Sequence, residues 1–428
     1  MSSAALPAAG AAHQHSERAS EVLRTAADLI ERSGFASTTM NEIAEAVGVL
    51  PGSLYHHFPS KEDIALALLE EYDLALARLA TTASRRLRRH EASPESLLSE
   101  LTADMFQLSF QHGAAVRLRA WDPPSVATSR MSDALGTSSA ALDRVWRSTI
   151  SMLAREHTHS SFNAPLLRLT LEQGGTAATL HYPSGLDVRA LGRGLCDVAL
   201  HGVLSDAPTD HDLDASAAMT AAKAAILGWP PRGTSRGLSA ETTGVIIDAA
   251  RTQFASKGYE ATTIRDIAGE AGVGMGTLYR HIESKEWLVV QIVEEYATSL
   301  NQAYRAVLDS SSTLPEKLDA LSWVFICSSR HFDAEARIVG LVWGEGALTS
   351  SPVHRMYREA QQRVVEMERL FSRGARNGEL RGLRPAAEEA LHYRTFVWGR
   401  YHLHGRTTNL KALQFLRSSL LRGVLETS

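Results

Sequence analysis

Cysteine is nearly absent from this chain. Cys196 and Cys327 are its two thiols in 428 residues, too few and too far apart for a disulfide framework or a four-ligand zinc site. That usage fits a reducing compartment, and a cytoplasmic location is the expectation. Long apolar runs are missing as well: no stretch reaches the roughly 18 residues that would suggest a membrane span. The N-terminus lacks the basic-then-apolar layout of an export signal, and its Ala-rich residues 1–15 are expected to form a disordered tail. The formal net charge is only −4, so no global basic field marks a nucleic-acid or membrane partner; such binding has to come from local placement. No Walker-type loop, Ser or Cys nucleophile motif or paired-carboxylate arrangement stands out. An enzyme is therefore not expected, and no cofactor is assigned. His157 and His159 come nearest to a metal pair, but i, i+2 spacing at a helix end converges poorly on one ion, and no metal site is expected.

What the chain does contain is a long internal repeat. GSLYHHFPSKEDI, Gly52 to Ile64, returns as GTLYRHIESKEWL, Gly276 to Leu288. Laying Gly34 on Gly258 also superposes Thr38, Thr39, Ile43, Ala44, Gly48 and Val49 on Thr262, Thr263, Ile267, Ala268, Gly272 and Val273 without a gap. A unit of this length far exceeds the roughly 20 to 50 residues of a solenoid repeat, so it reads as a duplicated module. The Pro-, Gly- and Ser-rich run WPPRGTSRGLS, Trp229 to Ser239, marks the boundary between the copies.

Each copy opens with the same local design. Val22, Leu23, Ala26, Ala27 and Ile30, like Ile246, Ile247, Ala250 and Phe254, give one buried face of a helix. A second helix follows, introduced by Thr39 with Glu42 and by Thr263 with Asp266 in capping-box spacing, full in the first copy and approximate with the shorter aspartate. Gly48 and Gly272 turn the chain into a third short helix, the pattern of a helix-turn-helix. The order T-x-x-x-I-A, G-V, G-[ST]-L-Y-x-H, S-K-E resembles the DNA-binding region of the TetR (tetracycline-repressor) family of transcriptional regulators. The resemblance spans about fifty residues in each copy. It implies an all-α fold: two three-helix reading heads, each followed by a helical-bundle regulatory domain.

By that resemblance Thr39, Tyr55 and Lys61, with Thr263, Tyr279 and Lys285, hold DNA phosphates, and all six are kept between the copies. Each also has a purely structural reading: capping for the threonines, packing for the tyrosines, solvation for the lysines. Positions that face bases are free to differ. Asn41, Pro51, Ser53 and His56 become Arg265, Met275, Thr277 and Arg280. Arginine suits guanine, asparagine suits adenine, and the two heads are expected to prefer different half-sites. At the start of the reading helix, where a Ser or Thr is common in the family, stand Leu50 and Gly274; neither supplies a capping oxygen.

The domain division expected is a head at 16–64, a regulatory domain at 65–229, a linker at 230–239, a second head at 240–288 and a second regulatory domain at 289–428. A pocket for a small, mainly apolar effector would draw on Phe106, Phe110, Trp146, Trp323, Trp343, Tyr393 and Phe396, residues that an ordinary core would use equally. Leu191, Leu195 and Val198, and Leu413, Leu416, Leu420 and Val424, form apolar stripes near the module ends. They suit a four-helix dimerisation bundle closed within one chain. The resulting expectation is a ligand-responsive repressor that binds a double-stranded DNA operator as a covalent pseudo-dimer, with further pairing of chains as a variant and no membrane partner. A helical scaffold whose heads no longer bind DNA is the alternative.

Overall fold

The computed structural model describes residues 17–426, except 90–91, 121–123, 125–126, 158–161, 180–184, 231–240, 260, 343–351, 383 and 399–406. The N-terminal tail, most of the linker, Trp343 and His159 lie outside the described residues. Among those described the protein is all-α, with a single isolated β-bridge between Leu204 and Leu380, and no helix is long and apolar enough to cross a membrane.

The first half runs α1 (Glu17–Ser33), α2 (Met40–Val47), α3 (Pro51–His57), α4 (Lys61–Arg89), α5 (Pro94–Gln111), α6 (Gly113–Ala120), α7 (Ser129–Gly136), α8 (Ala140–Glu156), α9 (Ala164–Thr179) and α10 (Val188–His201). Two short helices follow, α11 (Asp210–Ala215) and α12 (Ala217–Leu227). The second half runs α13 (Glu241–Lys257), α14 (Ile264–Glu270), α15 (Met275–His281), α16 (Lys285–Leu308), α17 (Leu314–His331), α18 (Asp333–Val342), α19 (Pro352–Arg376), α20 (Ala386–Trp398) and α21 (Asn409–Leu416), which passes into a π-helical turn at Arg417–Leu421.

Periodicity places the heads. Val22, Leu23, Ala26 and Ile30 of α1 are buried against Ile43 and Leu54, and Ile246, Ile247, Ala250 and Phe254 of α13 against Ile267 and Leu278. The two cores are built differently. The apolar core of the first head is continuous with that of its bundle, whereas the second head packs as a cluster of its own that takes in Ile338 from α18.

Chain order and packing part company at α11 and α12. Residues 210–229, counted with the first regulatory domain in the sequence, pack on α16 and α17 of the second half. The Ala218 amide donates to Ser312 Oγ at 2.9 Å, the Trp229 indole to the Ser299 carbonyl at 3.3 Å. Arg417, fully buried, forks onto both oxygens of Asp319 at 2.8 Å and reaches Asp214 at 2.7 Å. An unpaired buried guanidinium would be severely destabilising, so these aspartates fix α11 and α12 to the second bundle.

The halves close on each other through the ends of α10 and the π-turn. The Val203 amide donates to the Leu420 carbonyl at 2.9 Å and Val424 to Ala199 at 3.0 Å; Leu204 donates to Leu421 at 3.2 Å and Leu425 to Leu200 at 2.9 Å. Each of these four bonds has a reciprocal at one constant offset, the signature of an approximate two-fold axis at this contact; outside that pairing, the Ser205 amide donates to the Glu379 carbonyl at 3.0 Å and the Arg381 amide to the Val203 carbonyl at 2.9 Å. Gly202 (φ 74°) and Gly423 (φ 88°) face one another on this seam. A Cβ on Gly202 would come within 2.5 Å of the Leu421 carbonyl oxygen, and one on Gly423 within 2.2 Å of the His201 backbone.

Candidate nucleic-acid interface

In each head the reading helix is pinned from behind and open in front. Leu54 and Leu278 are fully buried and anchor α3 and α15. Gly48 (φ 75°) and Gly272 (φ 65°) take the left-handed turn before them, a conformation disfavoured by a Cβ. On the outer surface Asn41, Pro51, Ser53 and His56 are exposed in the first head, Arg265, Met275 and Arg280 in the second, with Thr277 half-buried. Arg280 lies back along its own helix, donating to the Gly276 carbonyl at 3.3 Å and to Thr277 Oγ1 at 3.2 Å. As the sequence indicates, neither Leu50 nor Gly274 makes a side-chain cap, and Pro51 starts the first reading helix. Leu50 is 80 % exposed.

The residues expected to hold phosphate have three different situations. Tyr55 and Tyr279 project outward, 48 % and 61 % exposed, with their phenols available. Thr39 and Thr263 both close full capping boxes: each hydroxyl accepts the N–H of Glu42 or Asp266 and donates to that residue's carboxylate. The aspartate thus reaches as well as the glutamate does. The Thr263 amide and hydroxyl, with Lys257, hold the Asp266 carboxyl down at about 2. Lys61 departs from the expectation. Its ammonium donates to the carbonyls of Phe35 at 2.6 Å, Thr38 at 2.7 Å and Ala36 at 3.2 Å, and sits 4.4 Å from the centre of the Phe35 ring. An ammonium has three donors, and all three are engaged by the loop between α1 and α2. Lys285 sits in the same way over Tyr259, at 4.2 Å. The Lys61 ammonium is thus engaged by the first head's own loop, and that of Lys285 lies against a ring of its own head.

The described aromatic residues named for an effector pocket differ in their surroundings. Phe106, Trp146, Tyr393 and Phe396 are packed core residues and Trp323 is half-buried. Among the described residues of the set, Phe110 borders a cavity of about 330 Å³, which lies between α1 and the α4–α6 corner. Tyr393 donates to the Leu318 carbonyl at 3.1 Å, whereas the buried Trp146 indole N–H has no partner among the described residues. Sequence reasoning missed the reciprocal seam, although a signal for it exists: Leu200-His201-Gly202-Val203-Leu204 is echoed by Leu421-Arg422-Gly423-Val424-Leu425.

Both heads match the family model for bacterial regulatory proteins of the tetR family, over residues 22–68 and 246–292. The chain is also 36 % identical over 143 residues, 32 % of its length, to the HTH-type transcriptional repressor KstR2 of Rhodococcus jostii strain RHA1, of which those residues cover 69 %. The chain belongs to the TetR family. It is a DNA-binding, ligand-responsive transcriptional regulator with two TetR heads in one polypeptide. The KstR2 of Mycolicibacterium smegmatis is likewise 36 % identical, over 93 residues that make up 22 % of this TetR-family chain and 45 % of that repressor. The solved structure of the ketosteroid transcriptional regulator KstR2 of Mycobacterium tuberculosis aligns with 45 % of this chain and 96 % of its own at 25 % identity and a TM-score of 0.39.

Proposed function

We propose that this regulator acts as a covalent pseudo-dimer: one chain sets two unlike heads on one asymmetric operator, and a small, mainly apolar effector lowers its affinity for that DNA. The observation that carries this reading is the reciprocal seam, which supplies within one polypeptide the two-fold contact that a homodimer makes between copies. Tyr55 and Tyr279, with the N-termini of α4 and α16, hold phosphate. Asn41, Pro51, Ser53 and His56 read one half-site, and Arg265, Met275, Thr277 and Arg280 the other. The unpartnered Trp146 indole inside the first bundle favours a ligand carrying one acceptor, since a buried donor is costly to leave unpaired. Ligand binding there shifts the population toward a head arrangement that no longer fits successive major grooves, about 34–36 Å apart for one helical turn.

Selection of bound sequences from a random DNA pool tests this, with light scattering on the same complex. One asymmetric motif bound by a single chain is expected. A palindrome bound by two chains overturns the pseudo-dimer, and a pool without enrichment supports the scaffold alternative.

A further inference from the structure

The cavity at the joint between the first head and its bundle has a filled counterpart in the second half. Superposing Gly34 on Gly258 sets Ala27 of α1 on Arg251 of α13. The facing helices correspond too. α5 and α17 end in the same backbone conformation, at His112 (φ −119°, ψ 39°) and Phe332 (φ −116°, ψ 46°). His112 rests on Tyr72 at 5.5 Å between ring centres and Phe332 on Tyr296 at 5.4 Å. Three residues further on stand Ala115 in α6 and Glu335 in α18. In the second half Arg251 Nε meets Glu335 Oε1 at 2.8 Å, both side chains buried, so that a guanidinium bridges head and bundle. In the first half both positions are alanine, and both border the cavity of about 330 Å³.

The walls left behind are those of a cation site. Leu23, Leu68 and Phe110 give an apolar side, and Asp28, Glu31 and Glu71 bring three carboxyl groups to a lining that holds one guanidinium, that of Arg24; behind Glu31 the buried Arg117 donates to its carbonyl at 3.1 Å. Glu31 accepts from the Ala114 amide at 2.9 Å, while Glu71 and Arg24 have no hydrogen-bond or ion-pair partner among the described residues. His112, whose pKa burial pushes down, adds no charge near neutral pH.

We propose that this cavity binds a small organic cation built like the arginine side chain it lacks, a short hydrocarbon stem ending in a guanidinium or ammonium group. The stem lies on Leu23, Leu68 and Phe110, and the head group faces Asp28, Glu31 and Glu71. Occupancy ties α1 to the α4–α6 corner as Arg251 ties α13 to α18, which makes this a second effector site, outside the bundle interior and specific to the first head.

Calorimetric titration of the full chain with n-butylguanidine, and with n-butylurea as its neutral counterpart, tests the site without DNA. Saturable binding of the cation, about tenfold or more tighter than of the urea, is expected for a charge-assisted contact. The double substitution Ala27→Arg with Ala115→Glu, which transplants the second half's pair into the cavity, is expected to abolish binding. Glu71→Gln, at a half-buried side chain without a partner among the described residues, is expected to weaken binding several-fold and to leave the unfolding temperature unchanged; it decides the matter should the double variant not fold. Absence of binding, equal binding of the two compounds, or undiminished binding by Glu71→Gln or by a folded double variant overturns the site.

Discussion

A side chain's task is set by what its polar atoms already hold, and Lys61 illustrates this. Its place in the S-K-E motif suggests a phosphate ligand, yet three loop carbonyls surround its ammonium. Lys61→Ala is therefore expected to destabilise the first head by about 1–3 kcal/mol, the cost of stranding hydrogen-bonding partners. The slope of DNA affinity against salt should stay unchanged, because no phosphate contact is lost. Thermal unfolding and a salt titration of operator binding separate the two roles; a shallower slope with unchanged stability would return Lys61 to the phosphate. Tyr55 and Tyr279 stand exposed, and that exposure is what supports the phosphate role proposed for them. Cys196, whose thiol burial pushes up to about 12, is held in the unreactive form, in keeping with a thiol that serves only packing.

At the scale of elements, the contact of α20 with α10 gathers several groups whose ionisation burial and pairing shift. His392 of α20 is fully buried and donates from Nε2 to the Leu191 carbonyl at 3.1 Å; desolvation drives its pKa down to about 3. Asp197 of α10 pairs with Arg381 and Arg384, which outweigh its burial and hold its carboxyl below the usual range. Burial raises the carboxyls of Glu388 and Glu389 beside them. The sign for His392 follows from proton counting: below its unfolded value of 6.5 the unfolded chain binds a proton that the folded chain refuses. Stability is thus lost as pH falls from about 6.5 toward 3. The raised carboxyls act in the opposite direction, so the histidine is isolated by difference. Relative to His392→Leu, the protein should lose about 2 kcal/mol between pH 7 and pH 5, measured by urea unfolding. Parallel pH profiles would show that His392 does not couple the two halves to pH.

For the molecule as a whole, the seam makes one chain a closed pair, and the two heads are attached to it unequally. The first head shares its core with its bundle, whereas the second is a separate cluster that reaches its bundle through Val289, Ile292 and Val293 of α16, Ile338 of α18 and the Arg251–Glu335 bridge. Gly423→Ala tests the closure. It places a Cβ within 2.2 Å of the His201 backbone at a φ of 88°, and the left-handed conformation alone costs roughly 1–2 kcal/mol. Affinity for a two-half-site operator should fall while each head keeps its grip on an isolated half-site, a comparison open to fluorescence anisotropy. Equal losses on both DNAs would place the damage in the heads.

The heads are legible in the chain because their determinants are local: the spacing of Val22, Leu23, Ala26 and Ile30, the Thr39–Glu42 and Thr263–Asp266 caps, and the glycines at 48 and 272 all act within a few residues of one another. The duplication, too, is written there without a gap. What Lys61 holds, where α11 and α12 dock, and that Gly202 meets Gly423 were decided only by the tertiary structure. Each depends on groups more than twenty residues apart in the chain brought within hydrogen-bonding reach, and a charge or glycine in the sequence carries no mark of the distant atom that will satisfy it.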